Sequence, residues 1–488
     1  MENNSIGQDT IKLTISKIFT MTVSLVFAML LSRLVSLVEY GTYSQLLIVV
    51  NLATTIFMLG LPYSINYFLA LAKDEEQKRK FLSIYFTLST VISIIIGVVL
   101  ILVSPIIVLY FKNTLLENFI YFLAIFPWTQ ISRTSIENVL IVYKKTKLLL
   151  IYQTTHGIFL LLSIVLVYLF SPKFEHYILL FLIIHSIFSI FVYVIIFRLK
   201  ARLYTKISFV NVKNILYYSL PIGLATIVGT ISIQLDKLII GRYFSTEQLA
   251  IYTNASRELP VTFIATAFTA IVMPIIVKKI SSQRTHEAIF LWKDSITISF
   301  IFICYLSIGI FVFAPDVVSI LYSSKYSLGV NVFRIYTLVL LLRFTYFGMI
   351  LSAMGKTKLI LYSSVGSLIL NVILNFLFLS IFGFVGPALA TLCSILIMNF
   401  FQLLITCKKI SVKLSYVFPW KGMLSILSVN ILLGTLFYTI KNLFTIENYL
   451  GETFESISLA LVWGVIYLLL FKSKLISTWR DINNYKIV

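Results

Sequence analysis

Eight ionisable side chains stand inside long apolar segments of the chain, where they could bind a ligand or carry charge. An ionised side chain at the centre of a bilayer costs at least about 2.5 to 3.5 kcal/mol, so each must face protein or water. Guanidinium groups bind phosphate through paired hydrogen bonds, and carboxylates can exchange small cations. Cations outnumber anions, which favours the binding of an anion. The set comprises Arg33, Arg133, Lys237, Arg257 and Arg343 as cations, and Glu137, Asp236 and Glu258 as anions.

Spacing along the chain separates candidates for function from candidates for structure. Arg133 and Glu137 are four residues apart, so on a helix they could form a local ion pair, or Arg133 could bind a ligand. Arg343 has no carboxylate in its own apolar segment, which favours a functional role. Arg33 stands near the end of a segment, where its side chain could reach the membrane surface instead.

Two neighbouring pairs of opposite charge, Asp236–Lys237 and Arg257–Glu258, cannot face one way on a helix. One member of each pair could reach a cavity while the other pairs with another helix. His156 and His185 also stand in apolar segments. Each could relay protons, although a lone histidine in a membrane more often bonds to a neighbouring helix.

Composition indicates the elements that hold these residues. Hydrophobic residues make up 59% of the 488-residue chain, charged residues 12%, and the mean hydropathy is +0.98, which excludes a soluble globular protein. Runs of about 20 apolar residues predict an all-α integral membrane protein with fourteen transmembrane helices. The expected spans are 14–38, 43–71, 81–111, 115–142, 148–170, 176–198, 215–241, 249–277, 290–314, 330–353, 358–381, 384–407, 422–441 and 453–472.

The net charge of +20 is distributed in a way that predicts membrane topology. If the N-terminus is cytoplasmic, 28 of the 39 lysines and arginines fall in or beside cytoplasmic segments, so both termini are expected there. The charge therefore does not indicate a nucleic-acid partner. We find no phosphate-binding loop, zinc-ligand spacing or nucleophile elbow, and the three cysteines show no paired spacing. No cofactor, metal site or catalytic residue is expected.

Two short echoes predict an internal repeat. Arg33…Ser36…Glu39 returns as Arg242…Ser245…Gln248, and the KTK step at 145–147 returns at 356–358. The offsets correspond to six spans, so the two halves should form a parallel pseudo-repeat. We expect an N-lobe over 1–213 that includes a basic linker, a C-lobe over 214–407, and an appended helix pair with a cytoplasmic tail over 408–488.

The segments LSRLVSLVEYGTYSQ at 31–45 and SLPIGLATIVGTISIQLDKLIIGRYFSTEQLAIYTNA at 219–255 resemble the polysaccharide or O-antigen flippases of the multidrug/oligosaccharidyl-lipid/polysaccharide (MOP) exporter superfamily. The resemblance implies two six-helix lobes that alternate between inward-open and outward-open states in a bacterial cytoplasmic membrane. The implied cargo is an oligosaccharide on undecaprenyl pyrophosphate, moved to the outer leaflet. On that reading the five cations bind substrate, and Glu137, Asp236 and Glu258 couple transport to protons or sodium.

Two other functions stay open at this stage. A drug or cation antiporter of the same superfamily should line its N-lobe with unpaired carboxylates, and Glu137 is the candidate there. A membrane-embedded polysaccharide polymerase or ligase is disfavoured, because the inter-span segments are too short for a catalytic outer domain.

Overall fold

The computed structural model describes residues 2–199, 201, 209–443 and 452–486, and every regular element in these ranges is helical. Half of the basic linker predicted at 199–214, namely 200 and 202–208, lies outside the described residues, as does the end of the chain after 486, which is predicted to be cytoplasmic. By contacts the chain divides into two compact units, Met1–Thr253 and Asn254–Val488. The lobe boundary expected at 213 to 214 stays a prediction about the repeat.

Within the described residues the first unit contains ten α-helices, and a 3-10 turn at Thr114–Phe119 precedes the sixth. The helices are α1 (Glu2–Leu34), α2 (Leu37–Met58), α3 (Leu61–Leu71), α4 (Glu75–Leu102), α5 (Ser104–Phe111), α6 (Ile120–Val142), α7 (Thr146–Phe170), α8 (Phe174–Arg198), α9 (Phe209–Tyr243) and α10 (Thr246–Ala255).

The second unit contains the helices that follow within the described residues. They are α11 (Phe263–Ser281), α12 (Thr285–Val312), α13 (Ala314–Tyr322), α14 (Val330–Leu341), α15 (Met349–Ala353), α16 (Thr357–Phe382), α17 (Gly386–Ile410), α18 (Leu414–Val417), α19 (Trp420–Leu443) and α20 (Glu452–Lys486).

Length and hydropathy make this a multi-pass membrane protein. In the described ranges, eleven segments are long and apolar enough to span a membrane, and one of them, Thr357–Ile410, contains both α16 and α17. The prediction of an all-α membrane fold is confirmed, while fourteen as the exact number of spans stays a prediction. Four expected spans are interrupted well inside their bounds: 43–71 breaks between α2 and α3, 81–111 breaks at Val103, 249–277 breaks over 256–259, and 330–353 breaks over 342–348.

Both sequence echoes mark repeated local structures. The hydroxyl oxygens of Ser36 and Ser245 each accept a hydrogen bond from the backbone N–H three residues later, at 3.2 Å. In return, the backbone N–H of each serine donates to the side chain of that later residue, Glu39 at 2.7 Å and Gln248 at 3.1 Å. This capping box satisfies backbone donors that a helix N-terminus otherwise leaves open. It begins α2 in one case and α10 in the other.

The KTK echo marks two equivalent helix junctions. Lys144 and Gly355 both take the left-handed backbone conformation, with φ of 53° and 70°. The next residue in each case, Lys145 or Lys356, donates its N–H to the carbonyl five residues earlier at 2.8 Å. This hydrogen bond ends the preceding helix, and a new helix begins at the following threonine. The repeated letters therefore encode one type of turn.

A close helix crossing explains one of the breaks. Gly60, with φ of 74°, separates α2 from α3, and Gly223 of α9 lies against the same point. A Cβ atom on Gly223 would stand 2.2 Å from the Leu59 carbonyl carbon, so only glycine allows this approach. The crossing packs α9 onto the bend in the first unit.

The appended helices α19 and α20 pack against α12 in the second unit. The Tyr467 hydroxyl donates to the Ile301 carbonyl at 2.8 Å, and Trp463 stacks on Phe437 with ring centroids 5.9 Å apart. Lys441 of α19 forms an ion pair of 2.5 Å with Asp316 of α13. These contacts attach the pair firmly to the body of the unit.

Candidate functional site

A polar pocket of about 170 Å³ lies inside the first unit between α1, α6 and α7. Most transmembrane helix faces are apolar, so several polar side chains converging on one point in apolar helices indicate a ligand or ion site. The pocket is lined by Thr20, Phe126, Gln130, Arg133, Thr134, Glu137, Leu149, Tyr152, Gln153 and His156.

Arg133 supplies the cation of this pocket. Its Nε is buried and has no hydrogen-bond partner among the described residues. Within that same part of the chain it forms no ion pair with Glu137, so the local pair that the four-residue spacing allowed is not made. Leaving a buried N–H donor without an acceptor costs free energy. A ligand oxygen that accepted a hydrogen bond from Arg133 Nε would remove that cost.

Glu137 is held by another helix. The side-chain amide nitrogen of Gln153, on α7, donates to Glu137 Oε2 at 3.5 Å. The side-chain oxygen Oε1 of Gln153 accepts hydrogen bonds from the hydroxyls of Ser16 and, at 3.4 Å, Thr20, both on α1. These bonds orient the carboxylate without neutralising Arg133. The pocket thus keeps a separate cation and anion side by side.

Two histidines stand behind the arginine. His156 is 4% exposed, lines the pocket, and its Nε2 has no hydrogen-bond partner among the described residues. Its ring meets that of His185 edge to face at 4.8 Å, and His185 Nδ1 contacts the Phe181 carbonyl at 2.8 Å. His185 is therefore anchored to its own helix, while His156 has a ring nitrogen that a ligand or proton could use.

Polar residues continue from the pocket toward α2 and α3. Gln130 donates its amide to Asn51 Oδ1 at 2.7 Å, and Asn66 donates to Asn138 Oδ1 at 3.2 Å. The sequence analysis did not single out Gln130 and Gln153 as site residues. The signal that could have found them is an amide side chain within an apolar helical run, which needs a hydrogen-bond partner just as a charge does.

Asp236 lies in the first unit but is not part of the pocket lining. It is 1% exposed, and the Tyr252 hydroxyl donates to its Oδ2 at 3.0 Å. Its Oδ1 accepts from the backbone N–H of Lys237 at 2.9 Å, and the Lys237 side chain is partly buried. The expectation that this neighbouring pair divides between two environments remains compatible with this geometry.

The outer arginines occupy helix ends. Arg33 lies in the last turn of α1 and is exposed, as expected for a side chain that can reach the membrane surface. Its counterpart in the echo, Arg242, donates to the carbonyls of Leu109 and Tyr110 at 3.3 and 3.2 Å. In the second copy of the repeated pattern, the arginine therefore joins the end of α9 to the end of α5.

In the second unit the structure joins two predicted site residues. Arg343 Nη1 lies 2.6 Å from Glu258 Oε1, and both side chains are about half exposed. Arg343 lies where the helix of the expected span 330–353 is interrupted, over 342–348, and its place in a span stays a prediction. Arg257 and Glu258 also lie in a break, between α10 and the 3-10 turn at Pro260–Thr262. Unwound backbone leaves carbonyl and N–H groups free to bind side chains or ligands.

Comparison with known proteins identifies the chain. A family model described as polysaccharide biosynthesis protein matches residues 30–331. The chain belongs to this polysaccharide biosynthesis family. The matched part of the chain contains seven of the eight charged candidate residues; the eighth, Arg343, lies beyond it.

One relative by sequence is the probable low-salt glycan biosynthesis flippase Agl15 of Haloferax volcanii. It is 25% identical over 233 residues, which cover 47% of this chain and 49% of the flippase. The match therefore spans about half the length of that relative.

Solved structures place this family member in a known fold. The inward closed conformation of the lipid II flippase MurJ superposes with a TM-score of 0.72 at 18% identity, covering 96% of this chain and all of that one. The inward-facing conformation of a MATE family multidrug resistance transporter gives 0.65 at 13% identity, covering 83% and 98%. The chain thus has the helical transporter fold of these two proteins, as the sequence resemblance predicted.

Proposed function

We propose that this protein is a flippase that moves oligosaccharides linked to a polyprenyl pyrophosphate from the cytoplasmic to the outer leaflet, by alternating access. The observation that carries the proposal is the Arg133 guanidinium, which lines a polar pocket and whose Nε has no hydrogen-bond partner among the described residues. Membership of the polysaccharide biosynthesis family and the partial match to a glycan flippase support a glycan cargo.

The size and charge of the pocket fit the phosphate end of such a substrate. At about 170 Å³ it is smaller than the 300 to 1,000 Å³ of typical small-molecule sites, so it suits a charged group rather than an oligosaccharide. Arginine binds phosphate through two parallel hydrogen bonds, each worth about 1.5 to 3 kcal/mol when charge-assisted. The sugars would then lie outside this pocket.

The remaining charged residues of the two units have separate proposed roles. Arg343 paired with Glu258, and Arg257 beside them, offer a second cationic point, while Lys237 and Arg33 add positive charge. Glu137, Asp236 and Glu258 are the candidates for coupling to a proton or sodium gradient. We place the protein in the bacterial cytoplasmic membrane with both termini cytoplasmic, as the distribution of lysines and arginines favours.

The test is flipping of a fluorescent polyprenyl-pyrophosphate oligosaccharide in proteoliposomes. Arg133→Ala removes both hydrogen bonds and should slow flipping by at least about 10- to 150-fold, the factor that corresponds to the loss of one of them. Arg133→Lys should retain part of the rate, because it keeps the charge but not the paired geometry. Arg480→Ala is the control, since that side chain is exposed on α20.

Other outcomes would redirect the proposal. Export of cationic dyes with no movement of lipid-linked glycan would favour a drug antiporter. Elongation or transfer of the glycan by wild-type protein alone would favour the enzyme alternative. Wild-type flipping that is insensitive to Arg133→Ala would remove Arg133 from the substrate site.

A further inference from the structure

A second cavity of about 500 Å³ lies on the lipid-facing side of α7 and α8, and it is almost entirely apolar. Ile151, Phe159, Ile187 and Phe191 line it and are 45 to 52% exposed. The hydroxyl of Thr155, also in the lining, is already bonded to the Ile151 carbonyl at 2.8 Å. The surface offers shape and apolar contact, which suits a hydrocarbon chain.

The position of this groove along the membrane follows from the helix directions. It uses the first half of α7, from Leu148 to Phe159, and the second half of α8, from Ile184 to Arg198. Three residues connect these helices, so they are antiparallel and the two halves lie at the same end. That end is the one predicted to be cytoplasmic.

Positive charge surrounds the same end of the groove. Arg198 belongs to the groove lining, and Lys144, Lys145 and Lys147 lie at the start of α7. All four side chains are exposed, and within the part of the chain that the structure describes none forms an ion pair. This positive charge would attract an anionic lipid to the same end of the groove.

One side chain connects the groove to the Arg133 pocket. Tyr152 is 7% exposed and lines both cavities. Its hydroxyl donates to the Phe188 carbonyl at 3.1 Å, and the His156 ring packs edge to face on Phe188 at 4.9 Å. Tyr152 and Phe188 therefore form a wall one side chain thick between an apolar groove and a cationic pocket.

We infer that this groove, defined by the facing surfaces of α7 and α8, binds the polyprenyl chain of the lipid carrier while its phosphate end reaches Arg133 past Tyr152. The inference rests on the proposed function and adds the site for the lipid part of the substrate. With the head beside Tyr152, the groove extends about 10 Å along α7 toward Phe159, at 1.5 Å per residue. We assign the carrier chain as the occupant, because the groove shares Tyr152 with the Arg133 pocket, where the phosphate of the same molecule would bind.

The first test is photo-crosslinking of the wild-type protein in phosphatidylcholine vesicles with a polyprenyl phosphate that carries a diazirine on its first isoprene unit. We expect crosslinks on α7 between 148 and 159 and on α8 between 184 and 198. Excess unlabelled polyprenyl phosphate should abolish them, and excess phosphatidylglycerol should not. Equal competition by both lipids would show an annular lipid contact only and would overturn the inference.

The second test is a matched pair of substitutions on α8. Ile187→Trp fills the groove, whereas Ile190→Trp adds the same bulk to an exposed position, 56% accessible, outside it. Ile187→Trp should lower both crosslinking and flipping by at least about tenfold, with Ile190→Trp within about twofold of wild type. Equal behaviour of the two variants would contradict the assignment.

Failure of this inference and failure of the proposed function give different results. If wild-type protein flips glycan in an Arg133-dependent way but crosslinks map elsewhere, the groove is wrong and the flippase stands. If specific crosslinks appear in the groove but no glycan moves, the lipid site stands and the transport proposal falls. Because crosslinking uses wild-type protein, it remains informative if a variant misfolds.

Discussion

Replacing Lys441 by methionine should destabilise the attachment of α19 to α13 by about 1 to 3 kcal/mol. Lys441 Nζ lies 2.5 Å from Asp316 Oδ2 and 3.0 Å from the Ser456 hydroxyl, and the charged partners are 20% and 11% exposed. Because both partners are partly buried, removing one leaves the other charge partly desolvated, and the cost lies between the roughly 3 to 5 kcal/mol of a buried pair and the roughly 0 to 1 kcal/mol of a surface pair.

The physical reason also predicts a rescue. Replacing both partners, as Lys441→Met with Asp316→Leu, removes the stranded charge, and such double replacements are often neutral or stabilising. We therefore expect the double variant to lie within about 1 kcal/mol of wild type. Lys421→Met is the control, since Lys421 is exposed on the same helix.

Reversible unfolding of detergent-solubilised protein, followed by the fluorescence of tryptophans that include the buried Trp463, measures these changes. The glycan-flipping assay should remain near wild type once each variant is folded, because the pair lies outside the Arg133 pocket. A single variant that costs less than about 0.5 kcal/mol, or a double variant as unstable as the single one, would refute the reasoning.

Three further predictions concern helix packing and the candidate site. Gly223→Leu should lower stability and expression, because its Cβ would overlap the Leu59 backbone and overpacking costs about 1 to 3 kcal/mol; a thermal melt unchanged from wild type would contradict this. His156→Phe should keep the fold but slow flipping by about tenfold if its buried Nε2 bonds to substrate, and an unchanged rate would assign it to packing. Asp236→Asn keeps an acceptor oxygen for the Lys237 N–H, and its amide can donate to the Tyr252 hydroxyl, so the charge is removed with both contacts retained. It should abolish dependence on an ion gradient with little change in melting; retained gradient dependence would exclude Asp236 from coupling.

Local structure could be predicted well from short patterns. The S-x-x-E and S-x-x-Q spacings at Ser36 and Ser245 specify a helix start through bonds that reach only three residues, so their repetition predicted repeated geometry. Apolar run lengths likewise predicted the helical membrane fold. These features depend on neighbours in sequence, and the structure confirms the fold.

Side-chain partners were less accessible to sequence reasoning. The spacing of Arg133 and Glu137 permitted a pair on one helix, yet Glu137 bonds to Gln153 of α7, because the competing partner comes from another helix. Arg343 pairs with Glu258, which is distant in sequence, and does so from a helix break that hydropathy does not reveal. In both cases the partner of the charged side chain is set by contacts between residues far apart in sequence. The spacing of residues in one sequence does not reveal such contacts.

The length of α20 has a practical consequence for work on this protein. Its 35 residues extend about 52 Å at 1.5 Å per residue, whereas the hydrocarbon core of a bilayer is about 30 Å thick. The last turns of this helix are held against the second unit, because Ile482 is 1% exposed and the Trp479 ring meets Phe268 edge to face at 6.3 Å. Truncation of α20 after its membrane-spanning part would therefore expose apolar surface of the second unit, so a tag is better joined after these turns than in place of them.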